Sequence, residues 1–543
     1  MLKPLTKTQT GYIDEIINKM SIEEKAAQVL CPNIQHVQGD KLAELMDKHP
    51  VGGVFFHPLP QDQYRSLADV VAQHSKIPVT ITGDLVEGAG SAIKGCSLFT
   101  WQMAMGAADS EKLTETVGEA TAREGRSYGV TWTFSPVVDL NRDKNNSMIY
   151  ARAFGDDPKH VLRMSKAYIK GIQKDGLMAA SAKHFPGDGC DDRDPHLSIP
   201  QYPCSRKEWE RTYGHVWRGV INDGVMSIMS GHIALPFIDK GKPGLGYCPP
   251  ASLSKKILLG FLRKELGFKG AIISDAYNMT GFAGILPVTK RAAHAIAAGN
   301  DMLLFSNVEG DFKSIMEGLK DKTLTEKRLT EAVRYVLELK MRVGLFDKLM
   351  SESISEKEKA KYNACVKELS DRSMTIIRNQ NNLIPLKLKA GAKVLTITVV
   401  NEDLKMRGQV SSLEYVDAAL KERGLEVTHM DNPMEMEINE ALPKFDAVFF
   451  NIHMPPNYGT TKFNLRFFMT FTRSFWPNHD KVVFTSFCHP YKIYEMNYAP
   501  NMIIAYGNNK EAQEAVVKVW LGEAKALGKN PVELPGYFKR QVK

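Results

Sequence analysis

Short apolar runs recur along the chain as far as residue 345, each followed by a Gly-bearing or polar loop and then by a longer amphipathic stretch. The runs are Ala27–Leu30, Val51–Phe56, Val79–Thr82, Thr131–Phe134, Leu177–Ser181, Val225–Met229, Ala271–Ile273 and Met302–Phe305. Each is of strand length and rich in Val, Ile, Phe or Met. Between them, stretches such as Ser110–Tyr128 and Lys159–Lys174 carry helical spacing and many charges. Alternating strands and helices imply parallel strands joined by helical crossovers. Eight such units in this length predict a TIM-like (β/α)8 barrel. An open, doubly wound sheet is the alternative, because periodicity does not report closure.

The pattern then changes. Ser351–Lys361 is nearly all polar and charged and reads as a linker into a helix that runs through Ser373. After Leu383-Ile384-Pro385-Leu386 the rhythm resumes. Val394–Val400, Ala447–Ile452, Val482–Phe487 and Met502–Tyr506 read as buried strands. Glu511–Leu521 reads as a helix with Ala512, Val516, Val517 and Trp520 on one side. The expected layout is a barrel over residues 1–348, a linker and connecting helix over 349–386, and a three-layer α/β sandwich with a mostly parallel sheet over 387–543.

Composition narrows the class. Of 543 residues, 43% are hydrophobic and 24% charged, as in ordinary globular chains, which excludes disordered and collagen-like proteins. The balance of 70 basic against 62 acidic residues gives a net charge of +8, spread without long like-charge runs, so no nucleic-acid partner is expected. Seven cysteines without a Cys-x-x-Cys pair point to free thiols in a reducing compartment. The first residues lack the apolar core of a secretory signal, and no apolar run approaches a membrane span. The expectation is a cytoplasmic protein without a membrane partner; the oligomeric state is not legible.

Catalytic groups of a barrel sit at the carboxyl ends of its strands. Val79–Thr82 runs into Gly83-Asp84, and Thr131–Phe134 into Ser135-Pro136 and then Asp139. Leu177–Ser181 runs into Lys183-His184-Phe185-Pro186-Gly187-Asp188-Gly189, Val225–Met229 into Ser230-Gly231-His232, and Ala271–Ile273 into Ser274-Asp275. A single Asp or His after a strand is usually a cap or turn former. Five polar strand ends in register are harder to call accidental.

At these residues the chain resembles glycoside hydrolase family 3, in its β-N-acetylhexosaminidase branch. Lys183-His184-Phe185-Pro186-Gly187, followed by Asp194-Pro195-His196-Leu197-Ser198-Ile199-Pro200, is similar to the branch's signature loop. Phe268-Lys269-Gly270-Ala271-Ile272-Ile273-Ser274-Asp275 is similar to the segment that carries the family nucleophile. Met20-Ser21-Ile22-Glu23-Glu24-Lys25, Arg152-Ala153-Phe154-Gly155-Asp156-Asp157-Pro158 and Ala298-Gly299-Asn300-Asp301-Met302 agree with it. Weaker echoes lie at Asn381-Asn382-Leu383-Ile384-Pro385-Leu386 and His489-Pro490-Tyr491.

Retaining hydrolysis of a β-glycoside needs a carboxylate nucleophile under the ring and a proton donor at the leaving oxygen. The resemblance implies Asp275 as nucleophile, where position alone also allows a cap for a helix near Asn278-Met279-Thr280. It implies His196, paired with Asp194, as acid and base; an imidazole ordinarily titrates near neutrality and suits both roles. It implies Asp84, Arg152, Lys183 and His184 as the groups that hydrogen-bond sugar hydroxyls. A salt bridge of Arg152 to Asp156 or Asp157, and a structural pair of Lys183 with a barrel carboxylate, are the alternatives. The implied substrate is a small β-linked amino-sugar glycoside, with no cofactor and no metal.

The pattern also departs from the branch. Asp188 stands where His is usual and Pro195 where Ser is usual, Asp275-Ala276-Tyr277 replaces Asp-Asp-Leu, and Asp84–Gly90 is one residue longer and lacks the usual arginines. Rival readings are a β-glucosidase or β-xylosidase, which takes its acid from a glutamate in the second domain, and a β-N-acetylglucosaminide phosphorylase. More distant ones are a metal-dependent hydrolase using His184, Asp188, Asp191, Asp192, Asp194 and His196, and a non-catalytic carbohydrate-binding protein.

Overall fold

The computed structural model describes residues 1–542 apart from 38, 57, 243–245, 381, 401–412 and 456–479; Asn381 of the weaker echo therefore lies outside the described residues. The described residues form two compact units. The first comprises Met1–Leu98, Thr114–Asn146 and Val161–Tyr362; the second comprises Phe99–Leu113, Ser147–His160 and Asn363–Lys543.

The first unit is a TIM-like barrel. Its strands are β1 (Leu30–Cys31), β2 (Gly53–Phe55), β3 (Thr80–Gly83), β4 (Val130–Thr133), β5 (Ala179–Phe185), β6 (Ser227–Ser230), β7 (Ala271–Ser274) and β8 (Leu303–Leu304). β2 to β7 pair in chain order, every pair parallel. Parallel pairing of β1 with β8, and single bridges Asn33–Phe55 and Ile273–Met302, complete the ring. Inside it Cys31, Phe55, Trp132, Phe134, Ala179, Met229, Ile273 and Leu304 pack with residues of the helix Glu326–Arg342 in one apolar core. Such strands are buried on both faces, which is why they read as continuous apolar runs.

The first apolar run differs from its expected structure. Ala27 belongs to the helix Ile22–Gln28, started by a reciprocal Ser21–Glu24 capping box, and only Leu30–Cys31 is strand. Asp301, fully buried, ties the core together by accepting from Arg263 at 2.5 Å, Arg328 at 2.6 Å and the Ile272 N–H at 2.8 Å. A buried carboxylate is tolerable only with such compensation.

The second unit is an α/β sandwich. Its strands are β9 (Thr375–Asn379), β10 (Lys393–Val400), β11 (Glu426–Asp431), β12 (Ala447–His453), β13 (Val482–Ser486) and β14 (Asn501–Ile504). Their order is β9-β14-β13-β12-β10-β11, parallel except for the antiparallel β9. The helices Glu414–Glu422 and Lys510–Trp520 share an apolar core with Val394, Phe449, Val483 and Ile503, and Trp520 stacks on Phe449 with centroids 4.2 Å apart. The expected linker Ser351–Lys361 is partly helical, because the helix before β9 starts at Glu356.

Candidate active site

All barrel strands run the same way, so their carboxyl ends share one face. β5 extends through Lys183, His184 and Phe185, so Lys183 and His184 belong to the strand and not to the loop beyond it. β3 hands over to Asp84, β6 to His232 and β7 to Asp275. Lys183 is nearly buried, and its Nζ donates to Asp84 Oδ1 at 2.7 Å; Asp84 is half-exposed. The two expected sugar contacts are thus paired, which gives a fixed donor–acceptor edge in place of two independent charges.

His184 is held by Asp139. The fully buried Asp139 carboxylate lies 2.7 Å from His184 Nδ1 and accepts the backbone N–H groups of His184 at 3.1 Å and Asp188 at 2.8 Å. His184 Nε2 faces Asp275 Oδ2 at 4.0 Å. Asp275 keeps 15% of its side chain exposed, enough to meet a ligand. Its N–H donates to the Ser230 carbonyl at 2.9 Å, and its Oδ1 accepts the Ala276 N–H at 2.7 Å. Burial pushes this carboxyl up, but His184, His232, Lys183 and the Ala276 N–H outweigh it and bring it down to about 2. Asp275 is therefore an ionised carboxylate at any ordinary pH. It caps no helix: the turn Thr280–Ala283 starts after Met279 without a side-chain cap.

The Asp194-Pro195-His196 loop forms a second cluster. Asp194 Oδ1 accepts the His196 N–H at 2.8 Å and lies 2.8 Å from His196 Nδ1, so a single oxygen orients both backbone and ring. Asp194 is nearly buried and His196 is partly exposed. The loop docks on the segment that follows Asp275: Thr280 N–H donates to the His196 carbonyl at 3.1 Å, and Gly281 N–H to the Pro195 carbonyl at 3.2 Å. The loop neck is closed by the Gln201 N–H donating to Asp191 Oδ2 at 2.9 Å.

The docking requires glycine at 281. A Cβ there would sit 2.4 Å from the Ser198 carbonyl oxygen and 2.6 Å from that of Pro195. Gly281→Ala is expected to push the loop off the Asp275 segment and lower kcat/KM by about 10–100-fold, as small misplacements of reacting groups do. Steady-state kinetics check this; an unchanged kcat/KM would show that the docking is unimportant.

Arg152 belongs to the second unit, on the turn Tyr150–Arg152, where it donates to the Met148 carbonyl at 3.1 Å. Asp156 and Asp157, its alternative partners, pair instead with Arg540. The carboxylates of the 188–194 loop point to different tasks. Asp188 accepts from Asn146 and the Gly189 N–H, Asp191 holds Arg193 and Gln201, and Asp194 holds His196. Among the described residues no three His, Cys, Asp or Glu side chains converge as a metal site would require. Also among them, no helix is long and apolar enough to cross a membrane.

Two groups at the site were not among the expected functional residues, Asp139 and His232. Both stood at strand ends in the sequence. Their side chains gain meaning only through the partners that folding supplies.

The barrel's strand ends carry an ionised carboxylate, a Lys–Asp pair and one Asp-backed imidazole, with a second on the loop beyond β5, and likeness to known proteins places the chain among the carbohydrate-cleaving glycoside hydrolases. The chain belongs to glycosyl hydrolase family 3, whose N-terminal domain matches residues 21–339. A Cellulomonas fimi protein named beta-N-acetylglucosaminidase/beta-glucosidase is 28% identical over 539 residues, 96% of this chain and 95% of its own. A beta-hexosaminidase of Methylobacillus flagellatus is 33% identical over 211 residues, 39% of this chain and 58% of its own. Among solved structures, the beta-glucoside phosphorylase BglX bound to 2FGlc superposes with a TM-score of 0.87 at 28% identity, covering 97% of each chain. A Paenibacillus family 3 beta-N-acetylglucosaminidase has the same fold, with a TM-score of 0.85 at 23% identity over 95% of this chain and 99% of its own.

Proposed function

We propose that the protein is a retaining, exo-acting β-N-acetylglucosaminidase that uses Asp275 as nucleophile and the Asp194–His196 dyad as acid and base. The observation that carries this reading is the docking of the dyad loop, through the carbonyls of Pro195 and His196, onto the segment that follows Asp275. The ionised Asp275 oxygen attacks the anomeric carbon as the glycosidic bond breaks. His196 gives its proton to the departing oxygen, and Asp194 stabilises the ring's charged form. The resulting imidazole then takes a proton from water, which attacks the glycosyl ester and releases Asp275 and the sugar with its β configuration retained. Lys183, Asp84 and His184 hold the sugar hydroxyls, and the bound substrate is a terminal β-linked N-acetylhexosamine. The name of the Methylobacillus relative, a beta-hexosaminidase, supports this sugar, and that of the Cellulomonas relative covers both this sugar and glucose.

A second reading is favoured by the BglX likeness. An imidazole acid leaves the acceptor position without a fixed negative charge, so an anionic phosphate oxygen is repelled less there than beside a carboxylate. In that reading phosphate attacks the glycosyl ester in place of water and gives a sugar 1-phosphate. One experiment separates the readings: a panel of nitrophenyl β-glycosides assayed with and without inorganic phosphate. The first reading expects the N-acetylglucosaminide to be the fastest substrate and free sugar to be the product under both conditions. Faster turnover with phosphate and a sugar 1-phosphate product would establish the second. Preference for the glucoside would remove the proposed sugar.

A further inference from the structure

One buried imidazole lies against the reacting segment without a role so far. His232 lies two residues past the end of β6, and it is fully buried. Its Nε2 lies 3.1 Å from the Ala276 carbonyl and its Nδ1 2.7 Å from the Ser252 hydroxyl. A carbonyl only accepts, so Nε2 carries the hydrogen. Burial pushes the ring's pKa below its ordinary value against the pull of the Asp275 carboxylate, so Nδ1 is the acceptor and the hydroxyl donates to it.

Ser252 is itself fixed. Its carbonyl accepts from Asn300 Nδ2 at 2.9 Å, and Asn300 Oδ1 accepts from the Ser230 hydroxyl at 2.6 Å. The Ser230 carbonyl in turn accepts the Asp275 N–H. This buried chain of bonds therefore starts on the peptide N–H of Asp275 and ends on the carbonyl of Ala276. Between those points the Ala276 N–H rests on Asp275 Oδ1. All members of the chain are buried except the Asp275–Ala276 segment, which is partly exposed. Buried polar chains of this kind are rigid when every member is satisfied.

We propose that His232 is a positioning residue for the reaction: by donating to the Ala276 carbonyl it fixes residue 276, and so holds the Asp275 carboxylate in the orientation from which it attacks. The inference rests on the reading of Asp275 as nucleophile. A purely structural role predicts something different, since the ring also packs against Phe282 with centroids 5.2 Å apart, and an aromatic replacement preserves that contact.

The test compares three variants on an aryl β-N-acetylglucosaminide, measuring kcat, KM and Tm. His232→Phe keeps a ring but has no donor. His232→Gln restores an N–H near the Nε2 position. His232→Asn reaches toward Ser252 and falls short of Ala276. The Phe variant is expected to lose about 10–100-fold in kcat with KM within about threefold of wild type, the pattern of a misaimed reacting group. The Gln variant is expected to recover at least about tenfold of that loss and to exceed the Asn variant, whatever the order of their Tm values. A Phe variant with wild-type kcat, or a Gln variant no faster than Phe, overturns the proposal. If the Phe variant does not fold, the Gln–Asn comparison decides, and equal kcat values overturn it. Asp275→Ala measured alongside keeps the two claims apart. An active Asp275→Ala removes the reading of the nucleophile, whereas an inactive one with unaffected His232 variants removes only the role of His232.

Discussion

Asp275→Ala is expected to lower kcat/KM on an aryl β-N-acetylglucosaminide by about 10⁴-fold or more, with KM changing far less, because the variant has no oxygen to bond the anomeric carbon. Steady-state kinetics on the purified variant check this, with a thermal melt to show that the barrel is intact. The acid side of the pH profile gives a linked expectation. His184, His232 and Lys183 hold the Asp275 carboxyl down to about 2, so it stays ionised as pH falls past the ordinary carboxylate range. Any loss of activity between pH 6 and 4 therefore reports another group. The interactions that lower this pKa stabilise the fold above the ordinary carboxylate pKa and are lost only as pH falls toward 2. Activity of Asp275→Ala within about tenfold of wild type would reject the assignment.

The second large effect depends on the leaving group. His196→Ala is expected to slow substrates with alkyl or sugar leaving groups by about 10³–10⁴-fold, since those oxygens depart only when protonated. An activated aryl glycoside, whose phenolate leaves unaided, is expected to lose less than about tenfold in its first chemical step. The measurement is a plot of log(kcat/KM) against leaving-group pKa for wild type and variant, and the variant line is expected to be much steeper. Parallel lines would show that His196 is not the acid. Asp194→Asn is then expected to show the same steepening more weakly, because Oδ1 orients both the His196 N–H and its ring.

Much of this architecture is legible before folding is considered, for one reason. Strands of a parallel barrel are buried on both faces, so each shows as an apolar run, and each must end in a loop on the same side. Asp84 and Asp275 are visible as polar residues just past such runs. Lys183 and His184 are visible too, although the pattern stops the strand at Ser181 where the pairing carries it to Phe185. Ala27 was apolar for another reason, as the buried side of a capped helix. β11, Glu426–Asp431, escapes the apolar pattern because it is an edge strand of mostly exposed residues; β9 escapes because it is the opposite edge strand and mostly half-buried. The change from barrel to sandwich is legible in sequence, but the assignment of Phe99–Leu113 and Ser147–His160 to the second unit is not, since they join it through contacts far along the chain. Asp139 and His232 were visible as strand-end residues but not as parts of a site. Their partners, His184 in one case and Ser252 and Ala276 in the other, come from other strands and loops, and no local spacing announces them.

The most direct measurement is the site of covalent attachment. The enzyme is incubated with a 2-deoxy-2-fluoro aryl β-glycoside, whose fluorine slows both formation and breakdown of the glycosyl ester while its excellent leaving group restores the speed of formation, so the ester accumulates. It is then digested and the peptides are weighed. One added sugar is expected on the peptide that contains Asp275 and none in the Asp275→Ala variant. A sugar attached to any other carboxylate, or a product released first with inverted configuration, would contradict this.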